Sequence, residues 1–88
     1  MLTYKAMYKN KAMYKNVDGG VHAEVLDFPG AITFGRDLDE ARAQLASALV
    51  DVAETNLLAH EPLPSPDPTL SDPEADLEEP IQLAIPTP

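Results

Sequence analysis

The chain has 88 residues, no cysteine and a formal net charge of −9 at pH 7. Its length allows one domain, and the missing cysteines exclude disulfides and thiolate metal sites. The acidic balance argues against direct nucleic acid binding, because phosphate contacts dominate nucleic-acid affinity. A core this small contributes only ~3–5 kcal/mol net, so a homo-oligomer (dimer or higher) or a bound partner is expected to help. Steering by net negative charge favours a basic protein as that partner.

The charge is unevenly placed. All four lysines (Lys5, Lys9, Lys11, Lys15) lie in the first 16 residues, and from Val17 onward two arginines stand against all 15 acids. The opening residues carry no long apolar run, so no signal peptide is expected. Nothing approaches the ~20 apolar residues of a membrane span. The expectation is a cytoplasmic protein with no membrane contact.

The first element is a tandem repeat: Lys5-Ala6-Met7-Tyr8-Lys9-Asn10, then Lys11-Ala12-Met13-Tyr14-Lys15-Asn16. Two copies are too few for a solenoid, so the repeat reads as a duplication inside a strand. Six is an even number, so side-chain alternation survives it. Ala6, Tyr8, Ala12 and Tyr14 fall on one face, lysines and methionines on the other. Either copy suits the next strand. The short loop at Asp18-Gly19-Gly20 favours copy two. Copy one then overhangs or extends the strand, and an overhanging edge is able to pair with another chain.

Asp18-Gly19-Gly20 supplies the positive-φ residues of a hairpin turn. Residues 21–27 alternate, with Val21, Ala23 and Val25 inward and His22, Glu24 and Leu26 outward. Phe28-Pro29-Gly30 ends that strand. Residues 31–34, with β-branched and aromatic side chains, predict a third short strand. Asp37 is a good N-cap, and Glu40 sits at the capping-box position. Leu38, Ala41, Leu45, Ala48, Leu49, Val52 and Ala53 form one stripe, predicting a helix over 38–58. His60 near its end suits the helix dipole.

Residues 61–79 alternate Pro62, Pro64, Pro66, Pro68 and Pro73 with small and acidic residues, which predicts an extended polyproline-like linker. Residues 81–85, between Pro80 and Pro86, predict a last short strand on the sheet edge of this chain or of a neighbour. The expected organisation is an α+β domain over 1–60, the acidic linker over 61–79, and a strand or tail over 80–88. The expected fold class is a three-stranded antiparallel sheet with one packed helix (β-β-β-α) and a short C-terminal strand.

No catalytic constellation emerges. Glu24 and Asp27 lie three apart on a strand and point to opposite faces. Asp37, Asp39 and Glu40 are accounted for by helix initiation. Ser47 has no nearby base, and the glycines form no phosphate-binding fingerprint. His22 and His60 have no ligand spacing. The expectation is therefore no enzyme, no cofactor and no metal. Partner contact is expected at His22 and Glu24 on the outer face of the second strand. It is also expected at Asp72, Glu74, Asp76, Glu78 and Glu79, which form either a solvated tail or a flexible arm that captures a basic partner.

The order of punctuation is specific. A strand with Ala6 or Ala12 is followed by Asp18-Gly19-Gly20, Asp27-Phe28-Pro29-Gly30, Gly35-Arg36-Asp37-Leu38-Asp39-Glu40-Ala41 and Leu63-Pro64-Ser65-Pro66. This order resembles the HicB-like antitoxin family over Tyr4 to Pro64. The resemblance implies a partial ribonuclease-H-like fold, β-β-β-α-β, without nuclease chemistry. It implies an antitoxin that masks a small basic HicA-type ribonuclease, often as a dimer or higher oligomer. Many relatives carry a C-terminal DNA-binding module, which is not recognisable here, and the six-residue duplication lies outside the family pattern. The competing expectation is an orphan structural or oligomerisation module with no toxin partner.

Overall fold

The computed structural model describes the backbone of residues 4–86 and the side chains of residues 8–84. The elements are β1 (Tyr4–Val17), β2 (Gly20–Val25), β3 (Ile32–Gly35), α1 (Leu38–Leu58) and β4 (Leu77–Pro86). They form one antiparallel sheet in the order β3-β2-β1-β4, with α1 against one face. The architecture is α+β, as the pattern predicts, with the C-terminal strand as fourth member of the sheet.

Both copies of the repeat lie in one continuous strand. Copy two and the following Val17 pair with β2, from Ala12 opposite Val25 to Val17 opposite Gly20. β2 stops at Val25, short of the expected Asp27, because Leu26 and Asp27 already belong to the turn before Pro29. β4 lies along the other flank of β1, from Tyr14 opposite Leu77 to Tyr4 opposite Pro86. It is twice the five residues expected, and it is seated on this chain's own sheet. Pro80 is tolerated there because β4 is an edge strand whose outer flank needs no donor. The last residues of the predicted linker, Leu77, Glu78 and Glu79, are thus part of the sheet. The expectations for the side chain of Ala6 and for Thr87 and Pro88 lie outside the described residues.

The alternation of β1 sorts its faces. Ala12 and Tyr14 join Val21, Ala23, Val25 and Leu83 beneath Ala41, Leu45, Leu49 and Ala53 of the helix, with Phe28 and Ala31 closing the end. Leu38 and Val52 of the predicted stripe pack at its margin. Gly35 lets the helix approach: a Cβ there would meet the Ala41 backbone nitrogen at 2.5 Å.

Both helix ends are locally specified. The Asp37 carboxylate accepts from Glu40 N at 2.8 Å, while Glu40 Oε1 accepts from Arg36 N at 3.1 Å. This is a capping box that reaches one residue further back than the usual pattern. At the other end Glu61 N donates to Asn56 O and His60 N to Leu57 O, which is a Schellman motif. His60 occupies its left-handed position at φ 56°. The residue lies beyond the last turn, so its place is set by backbone geometry rather than by the helix dipole.

One residue fits poorly. Asn10 is 3% exposed, on the core side of β1, and neither its Oδ1 nor its Nδ2 has a hydrogen-bond partner. In copy two the equivalent Asn16 lies exposed beside the hairpin turn. The duplication therefore carries a turn-flanking polar residue into the middle of a strand without changing its face. A buried unsatisfied amide costs about 1–3 kcal/mol. The Asn10→Val variant is expected to be more stable than the unsubstituted chain by at least about 1 kcal/mol, read as a higher urea midpoint at unchanged slope.

Candidate functional site

The face of the sheet opposite the helix carries the polar and charged residues of alternate positions. Register builds it in rows: Phe34, His22 and Lys15 across one line, and Ile32, Glu24, Met13 and Glu78 across the next. Lys11 follows on the same side of β1.

Half of this face is covered by the acidic segment. Having left the helix, the chain crosses the end of β2, where Asp67 N donates to Asp27 Oδ2 at 3.0 Å. Asp27 is itself 5% exposed, and its Oδ1 accepts from Lys11 N at 2.9 Å. One carboxylate thus ties the turn, β1 and the crossing segment together. The segment then runs over β1. Lys11 Nζ donates to Pro68 O and Leu70 O at 3.3 and 2.7 Å and lies 3.2 Å from Glu78. Lys15 Nζ reaches Glu74 at 2.8 Å, and Asp76 Oδ2 accepts from Asn16 N at 2.7 Å. Met13, on this face and only 1% exposed, lies under that strap.

The expected partner residues therefore divide. His22 and Glu24 sit together on β2 with Nε2 and Oε2 3.1 Å apart. Asp72, Glu74, Asp76 and Glu78 come to the same side of the sheet, but in a docked strap rather than a free arm. Glu78 Oε2 accepts from Ser71 Oγ and Asp72 N, and Asp72 Oδ1 from Glu74 N. Glu79 belongs elsewhere. It points to the helix side, where Arg42 donates two hydrogen bonds to it at 2.8 and 3.0 Å while lying 5.9 Å from the Tyr14 ring.

The uncovered half is formed by β3. Ile32 and Phe34 are 55% and 49% exposed and flank the His22–Glu24 pair. The Phe34 ring lies over Gly20, where a Cβ would meet its Cζ at 2.6 Å. Sequence reasoning missed these two side chains, although the pattern held the signal. Thr33 shares its face with Ala23 and turns to Gln44 of the helix, so Ile32 and Phe34 must face away. It also missed the role of Asp27, weighed only as a strand carboxylate facing away from Glu24. Among the described residues no group of three or more histidine, cysteine or acidic side chains converges to hold a metal ion.

Compared with known proteins, the chain matches no family model and no curated protein.

Asp67, Glu78 and Glu79 are held in their charged form. Glu78 lies below the ordinary glutamate value through the Asp72 N–H, the Ser71 hydroxyl and Lys11. Asp67 is lowered by the hydroxyl and N–H of Thr69. Glu79 is lowered by its Arg42 hydrogen bonds. Lys15 is raised, chiefly by Glu74. The native state binds fewer protons than the unfolded chain at these carboxylates. Their contribution is full above the ordinary glutamate value of 4.5 and is lost as pH falls through the lower native values. Thermal melts at a series of acid pH values are expected to show a falling midpoint below that point. The Glu78→Gln variant is expected to have a lower midpoint at neutral pH and a shallower acid limb.

Proposed function

We propose that the chain is an antitoxin-like binding protein that neutralises a small basic HicA-type ribonuclease by covering it. The observation that carries this reading is the open half of the helix-free face. Two exposed apolar side chains, Ile32 and Phe34, stand on an edge strand beside His22 and Glu24. Glu24, Asp72 and Glu74 all lie close enough to act on the Lys15 ammonium, so carboxylates border this patch. An apolar anchor within a charged rim is the anatomy of a protein interface. The net charge of −9 selects a basic partner and speeds its encounter. The order of turn and cap motifs supports the same family reading. Inhibition here is by occlusion, so it needs no catalytic group on this chain.

The test is a ribonuclease assay with a HicA-type toxin titrated by this protein. Activity is expected to fall to zero near equivalence. Phe34→Ala and Glu24→Lys are each expected to weaken binding at least tenfold, about 1.4 kcal/mol, with Glu24→Lys also flattening the salt dependence. Full toxin activity in excess protein would sink the proposal.

A second reading, an oligomerisation module, is favoured by the outward side of α1, where Val50, Leu57 and Leu58 are exposed. Strand exchange through residues 81–85 gives it no support, since β4 pairs within its own chain. Light scattering of the unsubstituted chain and of Val50→Glu/Leu57→Glu separates the two. An oligomer dissolved by the double substitution favours the module, and a monomer at high micromolar concentration removes it.

A further inference from the structure

Among the described residues, no strand covers one flank of copy one of the repeat. The backbone shows which groups face it. Lys11 O accepts from Leu26 N, and Lys11 N donates to Asp27 Oδ1, both on the β2 side. Tyr14 O accepts from Asp76 N on the β4 side. Along a strand these directions alternate, so Lys9 and Met7 turn their N–H and C=O to the β2 side as Lys11 does. β2 has ended by then, its last partner on β1 being Ala12. Among the described residues nothing pairs with that flank beyond Lys11, whereas β4 pairs the opposite flank from Tyr14 to Tyr4.

The sequence states what such a flank accepts. Copy one and copy two are identical, and copy two holds Gly20–Val25, a strand alternating small apolar residues with His22 and Glu24. Its lysines hold carboxylates: Lys15 takes Glu74, and Lys11 takes Glu78. Lys9, the counterpart of Lys15, is exposed and has no ion pair among the described residues. Beside it opens a cavity of about 480 Å³ lined by Lys9, Lys11, Glu78, Pro66, Pro68 and Pro80. A strand added along the flank would place an alternate side chain over that cavity.

We infer that copy one is an acceptor for an extended segment of a partner protein, one that alternates small apolar residues with carboxylates as β2 does. Main-chain hydrogen bonds at Met7 and Lys9 supply the adhesion, and the proline-lined cavity beside Lys9 supplies the selection. A second copy of this chain is the weaker occupant. Two overhangs would bring lysine-bearing strands together in molecules that each carry a charge of −9. The site is distinct from the β3 surface and stands whether or not a toxin is the partner there.

The test uses the full chain and a labelled peptide of sequence Gly-Val-His-Ala-Glu-Val, read by fluorescence anisotropy. Saturable binding is expected. Met7→Pro removes one N–H from the open flank and leaves the β4 ladder intact. It is expected to weaken binding at least tenfold at an unchanged melting temperature. Lys9→Glu is expected to weaken it and to reverse the salt dependence. Deletion of residues 5–10, which preserves every face, is expected to abolish it. Absence of saturable binding, or binding that survives both Met7→Pro and the deletion, overturns the inference. So does concentration-dependent dimerisation of the unsubstituted chain that Met7→Pro abolishes in sedimentation, which would place a second copy on the flank.

Discussion

A strand has two faces and two flanks, and β1 engages different neighbours on all four. Copy two is held by β2 on one flank and by β4 on the other, with the helix beneath and the acidic strap above. This works because alternation is strict. Six inserted residues leave Ala12 and Tyr14 facing the helix and Lys11, Met13 and Lys15 facing the strap. An insertion of five or seven would have turned the lysines beyond it toward the core. The tolerance of the fold for its own duplication follows from that parity, and so does the orphaned Asn10 amide.

The strap shows why a chain so acidic can still be compact. The chain's carboxylates are not all left unpaired. Glu74 and Glu78 are matched to Lys15 and Lys11, Glu79 to Arg42, and Asp27 to two backbone N–H groups. The exposed ion pairs are individually weak. Asp27 differs because it is buried and satisfies donors from two separate parts of the chain, so removing its carboxylate would strand both. It fixes where the segment crosses from the helix side to the open side, and the lysine contacts set its path from there.

What the sequence made legible was local. The hairpin turn, the N-cap and the helical stripe are each decided within a few residues, and the structure has them where the spacing predicts. The preference for copy two followed from loop closure, which is also a short-range quantity. What stayed hidden was long-range. The hydrogen bonds from the Lys11 and Lys15 ammonium groups to Pro68, Leu70 and Glu74 span 57 to 59 residues, and no window of composition reveals them. A stretch of alternating proline and acid looks like a solvated spacer because its own side chains cannot build a core. Here the opposing charges are on β1, so the spacer is held as a layer. The same blindness shortened β4, since Leu77, Glu78 and Glu79 read as linker until the sheet supplied their partners.

The candidate surface was half legible for the same reason. Alternation placed His22 and Glu24 outward, but a residue's being outward does not say what stands beside it. Only the pairing of β3 with β2 brings Ile32 to Glu24 and Phe34 to His22. That juxtaposition changes the character of the site, from a pair of polar side chains to an apolar anchor with a charged border. It also sets the border's strength. The strap carboxylates nearest the patch already serve Lys15 and Lys11, so an arriving basic partner must compete with those lysines for Glu74 and Glu78. The net attraction then comes from the acids the strap leaves uncommitted and from the excess of fifteen acids over six bases in the whole chain. Long-range charge steers the encounter, and the small apolar patch on β3 decides whether it lasts.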